Sequence, residues 1–126
     1  MTKRVLDVGN CVPDHASIRS LIENNFDAKV VQAHGPDDAL AALRGGGIDL
    51  VLVNRKLDRD YTDGLDIIRQ IKADAELAAT PCMLITNHAD QQQLAVQAGA
   101  ELGFGKLEFG KPETRARLRA ILGGAT

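Results

Sequence analysis

The chain has 126 residues and a mass of 13.5 kDa, with 44% hydrophobic and 25% charged residues. That is the size and balance of one soluble domain able to bury its own core without a disulfide or metal staple. A formal net charge of −2 and a pI of about 5.9 argue against a duplex-binding domain, whose pI usually exceeds ~9, so no nucleic-acid partner is expected.

Short apolar runs alternate with helical periodicity from end to end, and with aromatics at only 3% their core must be aliphatic. Val5-Leu6-Asp7-Val8 reads as a strand, followed by turn residues Gly9-Asn10. Pro13 suits a first helical turn, where its missing N–H costs nothing, and Asp14 suits the positive helix N-terminus; Ile18, Leu21, Ile22 and Phe26 then recur at helical spacing. Residues 28–33 form a second strand, and Gly35-Pro36-Asp37 opens a second helix with Ala39, Leu40 and Leu43 inward. Gly45-Gly46-Gly47 ends it. Ile48-Asp49-Leu50-Val51-Leu52-Val53 is apolar almost throughout, the mark of a central parallel strand covered on both faces.

A polar loop runs from Asn54 to Gly64, and Leu65, Ile68 and Ile71 make a third helix. Pro81 precedes the strand Cys82-Met83-Leu84-Ile85, which ends at Thr86-Asn87. A Gln-rich fourth helix covers about residues 90–98, the last strand about 101–105, and Pro112-Glu113 opens a final helix packed by Leu118, Ile121 and Leu122. Such a series of βα units implies a parallel sheet with helices on both faces, joined by right-handed crossovers. One domain is expected over 1–126, with its core at about 3–122. In such sheets functional loops gather at the carboxyl ends of the strands, here Gly9-Asn10, Asn54, Thr86-Asn87 and Lys106.

At these residues the chain resembles the receiver domains of bacterial two-component response regulators. The most specific pieces are the apolar run 48–53 with a loop ending Asp63-Gly64-Leu65, then Leu84-Ile85-Thr86, then Ala98-Gly99-Ala100 with Lys106 six residues on. The resemblance implies a flavodoxin-like α/β fold, a three-layer sandwich around a five-stranded parallel sheet of order 2-1-3-4-5. In the family, an aspartate ending the third strand takes a phosphoryl group and two acids ending the first strand hold Mg²⁺. A Thr or Ser ending the fourth strand and a Lys ending the fifth contact the phosphoryl oxygens. By position, Thr86 and Lys106 match, but the acidic pair falls on Gly9 and Asn10 and the phosphoacceptor on Asn54. Lys111-Pro112 also mimics the family's Lys-Pro pair, although spacing from Ala98-Gly99-Ala100 favours Lys106.

Mg²⁺ wants hard anionic oxygens, Gly9 offers only backbone, and an Asn amide is not a carboxylate nucleophile. No catalytic residue, no metal and no cofactor is therefore expected, with Mg²⁺ binding absent or weak. The degenerate pocket comprises Gly9, Asn10, Asn54, Thr86, Asn87 and Lys106, and Lys106 makes it cationic unless a neighbouring acid reaches in. The 54–64 loop is longer than the usual receiver loop and lacks its proline. Leu107 stands where a proline usually follows the lysine. The aromatic that reports phosphorylation by changing rotamer falls on Gly103, with Phe104 beside it.

Structural roles are favoured for the remaining polar residues: Lys106 bonded to Asn54 and Asn10, Thr86 bonded to backbone, and Asp7 partnered by His34 or Gln32. Asp58, Asp60 and Asp63 do not fit an EF-hand, since Asp63 would fall where glycine belongs and Arg69 where the bidentate Glu should be. Gly103-Phe104-Gly105 lies in the last strand, so it is no dinucleotide fingerprint. Cys11 and Cys82 make neither a disulfide framework nor a metal site, and Arg115, Arg117 and Arg119 spread around a solvated helix.

The sequence thus points to a receiver-like, phosphorylation-independent signalling module that binds a protein partner, a homodimer being one form of that. The alternatives are a small-ligand or anion sensor using the emptied pocket, or a regulator phosphorylated at an unconventional acid such as Asp7 or Asp58. Resemblance places the partner surface on the fourth helix, fifth strand and fifth helix. There Gln91, Gln92, Gln93 and Gln97 would lie on one side and Arg115 and Arg119 on the other, with little exposed apolar area. With neither an apolar signal region nor a run near the ~20 residues of a membrane span, no membrane contact and a cytoplasmic location are expected.

Overall fold

The computed structural model describes residues 2–123, so the expected domain span of 1–126 runs past the described residues at both ends. Five parallel strands, β1 (Lys3–Val8), β2 (Ala28–Ala33), β3 (Leu50–Asn54), β4 (Cys82–Ile85) and β5 (Glu101–Phe104), are ordered β2-β1-β3-β4-β5. Helices α1 (Val12–Asn25), α2 (Pro36–Arg44), α3 (Gly64–Ala73), α4 (Ala89–Gln97) and α5 (Pro112–Leu122) follow the strands in turn. This is the flavodoxin-like α/β arrangement.

Side chains alternate across the sheet and so feed two cores. Val5, Leu50, Leu52, Met83, Ile85 and Phe104 pack under α1 and α5, against Ile18, Ile22 and Leu118. Leu6, Val8, Val51, Val53 and Leu84 face the other way, against Ala39 and Leu43 of α2, Ile67, Ile68 and Ile71 of α3 and Ala95 of α4. All five residues of β3 are buried, as a central parallel strand requires. Proline occupies the first turn of α1, α2 and α5, and the Asp63 carboxylate caps α3 by accepting the Leu65 N–H at 3.0 Å.

Boundaries move where side chains replace ladder bonds. β1 begins at Lys3 because it pairs with Ala28, two residues before the apolar run starts. β3 begins at Leu50 because Asp49 instead brackets Arg4, its carboxylate accepting the Arg4 N–H at 2.9 Å and its own N–H reaching Arg4 O at 2.8 Å. β5 stops at Phe104, and the Gly105 N–H turns to the Glu108 carboxylate at 2.9 Å to start a 3₁₀ turn over Lys106–Glu108. Between β4 and β5 the register slips, Met83 pairing with Glu101 but Ile85 with Phe104. One extra residue therefore lies on β5 at that point.

Candidate functional site

Gly9 and Asn54 meet at the carboxyl end of the central strands. Gly9 has φ of 77°, a conformation that favours glycine, and a Cβ there would overlap the wholly buried side chain of Leu57. Its carbonyl accepts the Asn54 amide at 3.2 Å and the Asp58 N–H at 2.9 Å. The Asn54 amide also donates to Lys56 O at 2.7 Å. Two carbonyl neighbours fix the side chain's orientation, because only its NH₂ can face both. The loop after β3 is expected to be polar. Leu57, the one large aliphatic residue in it, is instead the plug beneath Gly9.

Asp7 is wholly buried, and neither His34 nor Gln32 satisfies it. Its oxygens take the Asn10 amide at 2.5 Å and His15 Nδ1 at 2.6 Å, because its side chain points to the α1 face of β1 rather than along the sheet to β2. Gln32 reaches only the Asn10 carbonyl, at 3.3 Å. Lys106 is bonded to neither Asn54 nor Asn10: its ammonium lies 2.6 Å from the Asp14 carboxylate, which also accepts Cys11 Sγ at 3.1 Å. An acid from the first helical turn thus compensates the lysine. Asp14 was legible as a helix N-terminal acid, not as this partner.

Asn54, Thr86, Asn87 and Lys106 line a cleft of about 240 Å³ together with Arg55, Lys56 and His88. Gly9 and Asn10 are buried and do not line it. The Thr86 hydroxyl accepts the His88 N–H at 3.2 Å, and the Asn87 side chain accepts the Leu107 N–H at 3.1 Å, so both close the loop ends of β4 and β5. Two buried polar atoms, Asn10 Oδ1 and Arg55 Nε, have no partner among the described residues. Lys111 lies away from this cleft, at the start of α5. Asp60 binds Thr62 within its own turn and Asp63 lies 3.5 Å from Lys56. No metal-holding cluster of His, Cys, Asp or Glu exists among the described residues.

The face formed by α4, β5 and α5 differs from the expected one in three ways. Gln92 is buried, because its position three residues before Ala95 places it on the inner side of α4. Its carboxamide acts as a peptide unit inserted in the irregular β4–β5 ladder, Nε2 donating to Leu84 O at 2.9 Å and Thr86 O at 3.2 Å, and Oε1 accepting the Gly103 N–H at 2.9 Å. A Cβ on Gly103 would strike Leu84 O and crowd that amide. Secondly, the face is not poor in apolar area: Val96, Leu102 and Leu107 are 44%, 48% and 81% exposed. Thirdly, the groove of about 940 Å³ between α4 and β5 is lined from α5 by Arg117 and not by Arg115 or Arg119, while Gln93 and Gln97 do line it and Gln91 does not. Arg117 donates to Gly103 O at 2.8 Å, and Arg115 turns to Gly110 O at 3.1 Å.

Burial raises the Asp7 carboxyl above its ordinary value of 3.8, against the opposing hydrogen bonds of His15 and Asn10. The Lys106 hydrogen bond lowers Asp14 below the same value. A raised acid stabilises the fold below its unfolded pKa and loses that contribution as pH rises through the native one; a lowered acid behaves oppositely. Unfolding free energy of the wild type relative to Asp7→Asn should therefore fall as pH rises from below 3.8, and relative to Asp14→Asn it should rise. Urea midpoints of the three proteins across acidic pH measure both slopes, and a flat Asp7 difference would contradict the burial argument.

No helix among the described residues is long and apolar enough to cross a membrane. The sequence profile of the response regulator receiver domain matches residues 11–122. The chemotaxis protein CheY-3 of Vibrio cholerae is 31% identical over 117 residues, covering 88% of this chain and 85% of that protein. Among solved structures, the signal receiver domain of a DNA-binding response regulator from Colwellia psychrerythraea superposes with a TM-score of 0.78 at 23% identity, covering 94% of this chain and 97% of the other. A response regulator from Thermotoga maritima gives 0.78 at 23% identity, with 97% and 98% covered. These two share the fold. The profile match and the Vibrio relative go further, and with them the chain belongs to the response regulator receiver domain family of two-component signalling.

Proposed function

We propose that this receiver domain works without phosphorylation, as a protein-binding module whose output face is permanently set. The observation that carries the reading is Asn54. Its amide occupies the place where the family's pattern puts the phosphoacceptor carboxylate, and its two N–H groups are committed to Gly9 O and Lys56 O. An amide turned this way presents no anionic nucleophile to a phosphodonor.

The donor set also does not fit the Mg²⁺ that the family implies. Position 9 has no side chain and Leu57 fills the space one would need. Asp7 spends its oxygens on Asn10 and His15, and Asp14 is neutralised by Lys106. Asn10 Oδ1 remains, a single neutral oxygen where a divalent cation wants several anionic ones. Neither unconventional acid supports phosphorylation: Asp7 is wholly buried and Asp58 does not line the cleft.

A second reading rests on the cleft itself. Arg55, Lys56, His88 and Lys106 converge there, and Arg55 Nε is without a partner among the described residues, which favours a small oxyanion. Lys56 and Lys106 already face Asp63 and Asp14, so the adaptor reading stands first. Calorimetric titration with inorganic phosphate separates the two, since saturable heat lost in Arg55→Gln would favour the sensor.

Incubation with acetyl phosphate and Mg²⁺ should leave the intact mass unchanged. A hydroxylamine-labile gain of one phosphoryl group would overturn the proposal. Asn54→Asp should not restore the reaction. It should also lower stability by about 1–3 kcal/mol in urea titration at neutral pH, because a carboxylate would face two carbonyl oxygens with no donor between them.

A further inference from the structure

We infer that the outer edge of β2 is a latent pairing strand for a second copy of this chain, held closed by the Glu23 carboxylate of α1. This device lies apart from the cleft at the strand ends and works with or without phosphorylation.

β2 stands at one end of the sheet order, with β1 on its inner side only. The Asp27 and Ala33 carbonyls accept the N–H groups of Lys3 and Gly9, both at 2.9 Å, and the register between them runs unbroken. Odd-numbered residues of the strand therefore turn their backbone to β1, and Ala28, Val30 and Gln32 turn theirs outward. An edge of this kind is a ready template for another strand. Its side chains suit one: Val30 and Val31 are β-branched and partly buried, and Lys29 is the one charged residue of β2.

The outward N–H groups are nevertheless mostly taken. Ala28 donates to Phe26 O at 2.9 Å, and His34, just past the strand, donates to the Asp38 carboxylate at 2.7 Å. Between them the Val30 N–H goes to Glu23 Oε2 at 2.9 Å, while Arg19 Nε donates to Oε1 at 3.2 Å. The Val30 N–H is also the main influence holding the Glu23 carboxyl below its ordinary 4.5, so the group is anionic at neutral pH. Gln32 is left as the outward residue whose N–H has no partner among the described residues. A neighbouring strand would lie about 4.8 Å away and place a carbonyl oxygen where the Glu23 oxygen sits. Carboxylate and strand therefore exclude each other.

A second copy is the occupant that the sequence of β2 fits. In an antiparallel pairing about a two-fold axis at Val30, each Val30 N–H meets the Val30 carbonyl of the other copy, and Gln32 faces Ala28. Lys29 then stands opposite Val31, so no like charges face each other directly. That register centres on the N–H that Glu23 occupies.

The test combines sedimentation velocity with amide hydrogen exchange followed by NMR, folding being checked by circular dichroism. In the wild type β2 should stay unpaired, and the Val30 amide should exchange about tenfold or more slowly than that of Gln32 after correction for intrinsic rates. Glu23→Ala should lose that protection when dilute, and should form dimers with a Kd of about 1 mM or tighter. Glu23→Gln, whose carboxamide oxygen can still accept the N–H, should stay monomeric under the same conditions. Gln32→Pro, at an exposed edge position whose N–H points outward, should abolish the pairing of Glu23→Ala without unfolding it. Equal exchange of Val30 and Gln32 in the wild type would overturn the inference, and that comparison decides the matter if Glu23→Ala does not fold. So would a Glu23→Ala variant that stays monomeric, a Glu23→Gln variant that pairs equally well, or pairing that survives Gln32→Pro, since the contact would then lie on another face.

Discussion

A carboxylate buried in the middle of β1 sets a requirement that much of the carboxyl end of the sheet answers. Asp7 is wholly inaccessible, and an unpaired charge there would cost several kcal/mol. Its compensation comes from Asn10 in the turn after β1 and from His15 in α1, so the charge fixes how the chain leaves the strand and where the helix begins. His15 is next in sequence to Asp14, and Asp14 in turn holds Lys106 at the end of β5. Neighbouring residues of α1 thus answer one charge on the first strand and one just past the last.

Three positions at which the resemblance would put other residues have neighbours that make the residue present physically tolerable. Glycine at position 9 comes with Leu57, which fills the volume a side chain would have taken. Asparagine at 54 comes with two carbonyls placed to receive its amide. Glycine at 103 comes with Gln92, whose carboxamide repairs the irregular ladder between β4 and β5. Each pairing leaves a close-packed, hydrogen-bonded local structure rather than a void or an orphaned group.

The elements were legible because the strands are buried on both faces and the helices carry prolines and acids in their first turns. β2 and β4 fall on the expected residues, and the sheet order is the one the resemblance implied. Of the pocket residues expected from their order along the chain, Asn54, Thr86, Asn87 and Lys106 line one cleft, while Gly9 and Asn10 lie buried outside it. Their partners were not legible, because a partner across the sheet is set by side-chain direction rather than by sequence distance. His15 reaches Asp7 from α1 and His34, just past the end of β2, does not, yet the sequence offers both. Gln92 carried a readable signal, its spacing to Ala95, which its polarity obscured: amides read as surface until a backbone irregularity requires one inside. Arg117 was missed because the expected surface took Arg115 and Arg119 from the final helix, whereas Arg117 is the arginine that reaches Gly103 O.

The two sites also bear on how such a domain signals. A modification shifts a conformational equilibrium only by as much as it interacts differently with the two states. In this chain the lysine that would sense a phosphoryl group already faces Asp14, at 2.6 Å. Gly103 has no side chain to change rotamer, and Gln92 clamps α4 to both β4 and β5 by three hydrogen bonds. Moving α4 would orphan Leu84 O, Thr86 O and the Gly103 N–H together, each at about 1–3 kcal/mol when buried. That penalty favours one shape for the α4–β5 groove, as the proposed phosphorylation-independent reading requires.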